Sequence, residues 1–438
     1  MTTPVYDHYL GEHARLAAQL PGDGWLRELR ATALQRFVEA GFPATSQEDW
    51  KYTDLRALQK LRPQAAVSQP VDAAAIQALR PAGLDAHRLV FVNGHYAPQL
   101  SEIGPLPAGA QLGPLAVRLA APDEALRVQL GATVNGSRTA LTDLNTAFVS
   151  DGLWLQLADG VALERPVHVL FIGLGDGMVH ARNLLQLGRN SAATVIEHYV
   201  GLAGAQTLTT AVTEVQAGPD ARLVRSKLQQ EAPGSYHFGG FYLDLARGSE
   251  ARLHGIDLGG RLVRNDTHGR LQGPGASIQM DGVYAPGARQ HIDNHTRIDH
   301  LQPAGRSRET YKGVIDAHGR GVFNGKIVVH PNAQKTDSEQ SSAALLLAKN
   351  AEVDAKPELE IYADDVKCAH GATVGQLDET AVFYLQSRGV DQTSARNILT
   401  YSFADEVIRR VGIEALRRHI EAQFMAKLPN GPQLRELL

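Results

Sequence analysis

The first third of the chain shows apolar residues at the three- and four-residue spacing of amphipathic helices. One such run covers residues 25–40 and ends where Gly41 and Pro43 break the pattern. A second helical stretch is predicted within residues 121–150, where an Asn-Gly pair interrupts it. The pattern therefore predicts a mostly helical N-terminal region over residues 1–150.

Two features of a different kind lie between these helical runs. Residues 62–82 are rich in Pro, Ala and Gln, which is typical of a loose connection or linker. Residues 89–92 form a short apolar run directly before Asn93 and Gly94. Such a run followed by Asn-Gly predicts a strand that enters a tight turn.

From residue 151 to about residue 377 the pattern changes to short runs of β type. Of the 42 glycines in the chain, 26 lie between residues 151 and 330, so no helical period of useful length fits between the runs. This excludes the crossover helices of a doubly wound α/β fold and favours an all-β sandwich, barrel or solenoid. Examples of the runs are residues 153–157, 167–171, 194–196 and 327–329.

A second helical region is predicted over residues 378–438. Asp378 is a suitable N-cap for its first helix, and Gly389 is a suitable end. Residues 394–411 follow with two neighbouring apolar stripes, and a further apolar face ends near Phe424. Apolar faces are usually core, but two stripes on one helix favour a surface shared with another subunit.

Composition narrows the class of protein. The chain has 438 residues, a formal net charge of −4 and no basic run, which argues against a nucleic-acid or anionic-membrane partner. It has no run of eighteen apolar residues and no secretory leader pattern at its start. A single cysteine excludes an intrachain disulfide. Together these features predict a cytoplasmic protein.

The candidate chemistry lies near the end of the β-type region, where the only cysteine is followed by a histidine two positions later. After a predicted turn at Asp364 and Asp365, the period of two places Val366, Cys368 and His370 on one face. Cys368 and His370 would then lie about 6.6 Å apart, near enough to reach one metal ion. Two ligands are too few for a closed metal site. Either both residues are structural, or the other ligands come from another chain.

Six sequence motifs carry a resemblance to a known family. The most specific of the six is the motif that contains His370, at residues 364–375. The motifs are E-D-W-K-Y-T-D-L (48–55), G-R-G-V-F-N-G-K-I (319–327), A-Q-K-T-D (333–337), L-L-L (345–347), D-D-V-K-C-A-H-G-A-T-V-G (364–375) and F-Y-L-Q-S-R-G (383–389). With them the chain resembles the SufB/SufD family, the scaffold subunits of SUF iron–sulfur cluster assembly. It resembles the SufD branch, because it has Gly371 where SufB has Glu and lacks the second cysteine of SufB.

This resemblance implies a mainly β fold, a right-handed parallel β-helix over residues 151–377 with helical regions on either side. It implies a non-enzymatic scaffold that pairs with SufB through the β-helices and docks the ATPase SufC through residues 378–438. Alone, the chain would pair with itself. His370 is the implied ligand for iron or a nascent cluster, which is bound transiently with a SufB thiolate, and no cofactor is held permanently. Cys368 is the weaker candidate.

Two other readings of the sequence compete with these. A second polar cluster would suit a metal site on a helix, but in a strand its first two histidines stand about 13 Å apart. A polar ladder on the outside of a β-helix is therefore favoured. The members of the polar cluster are His291, Asp293, His295, Asp299 and His300.

A β-helical carbohydrate-active enzyme is the alternative function, and it would need clustered carboxylates on one face.

Overall fold

The computed structural model describes residues 4–202 and 204–431. Two sheets face each other, and from β4 onward consecutive strands alternate between them. Sheet A contains, from one edge to the other, β3 (Ala110–Pro114), β4 (Leu153–Leu157), β6 (Asp176–Leu187), β8 (Gln206–Ala217), β10 (Tyr236–Leu245), β12 (Leu262–Leu271), β14 (His291–His300), β16 (Arg320–Val329) and β18 (Glu352–Ile361). Sheet B contains, in the same direction, β2 (His95–Tyr96), β1 (His87–Val92), β5 (Val167–Gly173), β7 (Ala192–Gly201), β9 (Arg222–Gln230), β11 (Glu250–Asp257), β13 (Ser277–Tyr284), β15 (Arg306–Ile315), β17 (Asp337–Leu346) and β19 (Lys367–Gly375).

The strand register identifies the architecture as a parallel β-helix of about eight turns. Neighbouring strands in one sheet are one full turn apart in the chain, as in the parallel pairing of Leu262 with both Tyr236 and His291. Apolar side chains from both sheets fill the space between them, and Leu155, Val195 and Ile292 are fully buried there. The predicted fold class, a mainly β parallel β-helix with helices on either side, is confirmed.

The N-terminal helices cover the outer face of sheet A. The predicted helix of residues 25–40 is confirmed, with Asp23 as N-cap. Phe37 and Leu144 pack with Leu208 and Phe238, which project outward from β8 and β10. The helices of this region are α1 (Pro4–Leu16), α2 (Gly24–Ala40), α3 (Ala73–Leu79), α4 (Leu115–Ala120), α5 (Glu124–Gln129) and α6 (Ala140–Ala147).

The connection predicted over residues 62–82 is more structured than its composition suggests. It contains α3, which Asp72 caps by accepting a hydrogen bond from the Ala74 amide. Ile76 of this helix is buried against the outer face of sheet B near its first strands. Ala65 also forms a parallel bridge with Met178. Tertiary contacts therefore stabilise a helix that is too short to form alone.

The C-terminal helices cover the outer face of sheet B. They are α7 (Glu379–Ser387), α8 (Gln392–Ile408) and α9 (Glu414–Met425), and residues 432–438 of the predicted region lie outside the described residues. Val407 and Phe424 pack with Ile256 and Val283 of sheet B, while Phe403 packs towards α7. Residues of both apolar stripes of α8 pack within the chain, with Ile398, Tyr401 and Phe403 only partly buried, and the surface shared with another subunit stays a prediction. None of the helices in the described part is long and apolar enough to cross a membrane.

The two ends of the β-helix differ. At the first end, β1 enters the predicted tight turn, with Asn93 and Gly94 at φ of 52° and 81°, and the turn leads into β2, so that the two strands form a hairpin. This hairpin adds to sheet B beside β5, and β3 pairs antiparallel with β4 in sheet A. At the other end, β18 and β19 are the outermost strands of their sheets. The last turn of the β-helix is therefore open.

Candidate metal-ligand site

The open end exposes side chains that would point into the core in any earlier turn. The register places Cys368 over Ser338 and His370 over Gln340, and Ser338 and Gln340 are both buried in the turn below. His370 is exposed, whereas Cys368 is half-buried. The predicted shared face of Cys368 and His370 is confirmed, and it is the inner face of the β-helix.

The backbone of β19 is also left unpaired on one side. Lys367 donates its amide hydrogen to Thr336 O at 2.8 Å, so it faces β17. In a parallel pair, successive residues direct their amide and carbonyl groups alternately to the two sides of the strand. The amide and carbonyl groups of Cys368, His370 and Ala372 therefore point away from β17. An edge of this kind is a template for another strand.

Cys368 and His370 differ in their surroundings. The Cys368 side chain packs with Leu359, Ala363 and Val366 at the last turn. Burial raises the pKa of the Cys368 thiol, and the nearby Asp337 carboxylate raises it further, so the thiol is protonated at neutral pH. The His370 imidazole is accessible from the open end. Of the two donors, the imidazole is the one that is exposed and that a metal ion can reach directly.

The described chain offers only part of a metal site. Within residues 4–202 and 204–431, no three His, Cys, Asp or Glu side chains lie close enough together to hold a metal ion. Since a closed tetrahedral site takes four ligands, iron or a cluster at His370 would need donors from elsewhere.

The polar cluster on β14 is largely the predicted ladder. On the outer face of sheet A, His291 Nε2 lies 2.8 Å from Thr53 Oγ1, and His295 Nε2 lies 3.0 Å from Asp293 Oδ1. His300 differs, because it faces inward, where its Nε2 lies 2.9 Å from Ser307 Oγ. The outer-ladder prediction is therefore confirmed for His291 and His295 and wrong for His300.

A group of buried charges lies inside the β-helix and is not apparent from the sequence. All of these side chains except Glu231 line a cavity of about 30 Å³, which has room for about one water molecule. They occupy inward positions among apolar neighbours. The sequence of a single strand does not show which of its alternating positions face inward. The ion pairs are Arg225 with Glu197 at 2.7 Å, Lys227 with Asp257 at 3.0 Å and His237 with Glu231 at 2.7 Å.

A second pair of buried polar residues lies directly below the open end. Gln340 donates from Nε2 to Glu309 Oε2 at 2.6 Å. Burial raises the pKa of Glu309 to about 7. Both residues lie in register with His370 on successive strands, β15, β17 and β19. Register across turns, which the sequence does not show, is what brings them together.

Helix α7 presents two exposed aromatic residues next to the open end. Phe383 is 70% exposed and Tyr384 is 57% exposed, whereas Val382 of the same helix is buried. Arg388 lies over the Tyr384 ring at 5.1 Å and holds it in place. An adjacent pair of exposed aromatic rings on a short, well-anchored helix is typical of a protein contact.

Comparisons with known proteins identify the family to which the chain belongs. The family profile of the SUF system FeS cluster assembly SufBD core domain matches residues 171–403, and that of the SufBD protein N-terminal region matches residues 6–169. The chain is 35% identical to the iron–sulfur cluster assembly protein SufD of Escherichia coli, over 91% of this chain and 92% of the relative.

Two further relatives are more distant. An iron–sulfur cluster assembly SufBD family protein of Synechocystis is 30% identical, over 86% of this chain and 85% of its own length. SufD of Bacillus subtilis is 26% identical, over 66% of this chain and 67% of its own length. The family profiles together span both the N-terminal region and the β-helix that carries His370. The chain belongs to the SufBD family of iron–sulfur cluster assembly proteins of the SUF system.

Proposed function

We propose that this chain is a SufD-type scaffold subunit of cytoplasmic iron–sulfur cluster assembly, without a catalytic centre or a permanent cofactor of its own. The observation that carries the proposal is the open last turn of the β-helix. It combines an unpaired strand edge, an exposed inner face and one accessible imidazole, His370. Such an end is suited to receive a second β-helix and to hold cargo at the junction.

The partner at this end is SufB in the assembly complex, and a second copy of this chain when SufB is absent. The support is backbone geometry, because any chain with a matching edge strand can pair with the free groups of β19. Val374 adds an apolar contact, since it is 52% exposed on the inner face. Self-pairing and pairing with SufB would then use the same surface.

His370 contributes an imidazole ligand to iron or to the nascent cluster, and SufB contributes a cysteine thiolate. Imidazole and thiolate are ligands that iron–sulfur centres use. Cys368 has the lesser part in this proposal, because packing and burial keep its thiol protonated.

SufC docks on the C-terminal helical region, and the exposed aromatic pair on α7 is its contact. Because α8 and α9 are packed against sheet B, a movement of α7 imposed by ATP-driven SufC dimerisation would be transmitted to the nearby open end. Such a movement would strain and expose the junction with SufB.

The test is anaerobic co-expression with SufB and SufC, using His370→Ala and, as a matched control, His318→Ala. His318 is an exposed histidine in the turn between β15 and β16. We expect both variants to retain SufB and SufC, but only the His370→Ala complex to lose the visible absorbance of a bound cluster. Unchanged cluster formation with His370→Ala would remove this residue from the function.

A further inference from the structure

A cleft lies where the end of α9 meets the corners of the β-helix. Three successive corners line it, those between β9 and β10, between β11 and β12, and between β13 and β14. Its volume is about 550 Å³, which is in the range of small-molecule sites. His370 and Cys368 are not among the residues that line it, so the cleft is separate from the site already proposed at the open end.

Lys427 follows α9 and directs its ammonium group into this cleft. The Nζ atom donates to Leu258 O at 2.6 Å and to Gln290 Oε1 at 3.3 Å, which are both neutral acceptors. No carboxylate in the described part of the chain pairs with it. The residue as a whole is exposed, but burial of its ammonium end lowers the pKa of Lys427 to about 8. At pH 7 the group is therefore still a cation, and its charge is not compensated.

Two arginines add further positive charge to the same cleft. Arg261 lies in the corner between β11 and β12, and Arg289 lies in the corner between β13 and β14. Neither guanidinium group has a hydrogen bond or an ion pair with any residue of 4–202 or 204–431. Three cations thus line one concave surface without a counter-ion.

The nearby carboxylate does not neutralise these cations. Of the described residues that line the cleft, Glu231 is the only one with a carboxylate group. Its Oε1 accepts from Thr209 Oγ1 at 2.6 Å, and its Oε2 accepts from Gln229 Nε2 at 3.0 Å and lies 2.7 Å from His237 Nδ1. Both oxygens are therefore occupied inside the β-helix.

The corner that carries Arg289 has a disfavoured backbone conformation. Gln290 N donates to Gly287 O at 2.7 Å, and the two residues between them, Ala288 and Arg289, have φ of 40° and 69°. Within the described ranges they are the only two consecutive non-glycine residues with positive φ. Turns of this geometry usually take Asn or Gly at both positions, and strained positions are frequent at ligand sites. Gln290 Nε2 also donates to Gly260 O at 2.7 Å, which ties this corner to the one that precedes Arg261.

We propose that this cleft binds a phosphate-bearing small molecule, whose phosphate group is held by Lys427, Arg261 and Arg289. The three cations belong to two corners and one helix end. Such an arrangement suits the three terminal oxygens of a phosphate group better than the two coplanar oxygens of a carboxylate. The rest of the cleft, with Pro233 and Leu258 in its wall, has space for the remainder of a phosphate ester or for a second phosphate group.

The test is isothermal titration calorimetry of the full-length chain at pH 7 and constant ionic strength. The probes are inorganic phosphate, inorganic diphosphate and phenyl phosphate. We expect saturable binding at one site per chain, and the tightest probe identifies the ligand as free phosphate, a diphosphate or a phosphate ester. Acetate at the same ionic strength should not compete. Absence of saturable binding for all three probes overturns the inference, as does equal competition by acetate.

Lys427→Met and Arg289→Gln should each weaken binding of the tightest probe by roughly 10- to 100-fold, because a hydrogen bond between charged groups is lost. Arg247→Gln is the matched control, since Arg247 is an exposed corner arginine outside the cleft that pairs with Asp220. It should bind the probe as wild type does. Wild-type affinity in both Lys427→Met and Arg289→Gln contradicts the inference.

Melting temperatures separate a binding role of Lys427 from a structural one. Because Lys427→Met removes an uncompensated ammonium group, its melting temperature without a probe should equal or exceed that of wild type. The increase that the tightest probe produces in wild type should be lost. A lower melting temperature without the probe, together with an undiminished increase on adding it, would assign Lys427 to the fold alone and overturn its part in the site. Arg289 is exposed, so Arg289→Gln remains informative if Lys427→Met does not fold.

Discussion

At the scale of single residues, Cys368 and His370 show how neighbours on one strand face acquire different chemistry. Both lie on the inner face of the last turn, but the thiol packs against apolar side chains while the imidazole is accessible. Burial raises the pKa of the Cys368 thiol, which reduces its nucleophilicity and its capacity to bind a metal. The exposed imidazole is the donor that a metal ion can reach.

The protonation of Cys368 predicts its reactivity. Because burial raises its pKa, less thiolate is present at neutral pH, and we expect iodoacetamide to alkylate it more slowly than a small thiol at pH 7.5. The rate should rise with pH and reach half its maximum above the ordinary thiol pKa. Denatured chain is the control and should react at the rate of a free cysteine. A native midpoint at or below that of the denatured chain contradicts the assignment.

How much of the site is readable from the sequence depends on the distance along the chain. Cys368 and His370 are two positions apart, so the strand period was sufficient to place them on one face. Glu309 and Gln340 are each one or two turns away, and their alignment with His370 depends on the length of every intervening corner. No repeat motif marks those corners, so the sequence could not show the alignment.

At the scale of elements, β19 is the edge strand on which the proposed pairing depends. Its outward backbone groups alternate with those that bond to β17, so proline substitutions at neighbouring positions have different consequences. Position 372 presents its amide to the open side, and position 373 presents its amide to β17. This difference separates loss of pairing from loss of folding.

We predict that Ala372→Pro abolishes self-pairing and weakens retention of SufB, with little effect on the melting temperature of the chain. The physical reason is the loss of an outward N–H donor at an otherwise tolerated edge position. Light scattering at micromolar concentration and co-purification measure the two effects. Ala372→Ser, which keeps the amide hydrogen, is the control. A dimer that survives Ala372→Pro would place the interface elsewhere.

Helix α7 carries the second element-scale prediction. We expect Phe383→Ala with Tyr384→Ala to reduce retention of SufC in a pull-down, because two exposed aromatic anchors typically contribute more than 1 kcal/mol each at an interface. Val117→Ala is the control, since Val117 on α4 is 68% exposed and distant in sequence. A chain truncated near Leu377 should also fail to retain SufC. Equal retention of SufC by wild type and the double variant would exclude this contact.

The elements themselves were predictable where a single period dominates. The apolar spacing located α2, and short runs of β type located β1, β4 and β5. Helix α3 was not predicted, because an Ala-rich helix of seven residues lacks a legible apolar face and depends on contacts with sheet B. The stripes of α8 were legible, but the sequence did not show that sheet B and α7 pack against them.

At the scale of the whole molecule, the β-helix combines an apolar core with a buried ionic interior. Lys227 and Asp257 lie in successive turns of sheet B, and both are almost completely buried. Asn265 from sheet A bonds to both of them. The ion pair therefore connects the two sheets across the core, and its loss should affect the stability of the entire β-helix.

We predict that Lys227→Met lowers the free energy of unfolding by about 3–5 kcal/mol, because the buried Asp257 carboxylate then loses its ion-pair partner. Arg247→Met is the matched control. It removes an exposed ion pair with Asp220, which should contribute about 0–1 kcal/mol. Urea denaturation followed by circular dichroism measures both. Equal midpoints for the two variants would mean that the interior pair is dispensable.

The architecture followed from the family resemblance and not from the strand pattern. Alternation and glycine spacing were compatible with a sandwich, a barrel or a solenoid, since these differ in which strands pair and not in strand composition. The pairing of Leu262 with Tyr236 and His291, each a full turn away, is information that no local pattern contains.

The two ends of the β-helix present different edges, because β2 and β3 end the first turns in antiparallel pairs while β18 and β19 end the last turn in parallel pairs. A molecule with two free ends would propagate head to tail into a filament. In the pairing proposed through β19, both subunits would use this same end, so growth would stop once two subunits have joined and the cargo would lie at their junction.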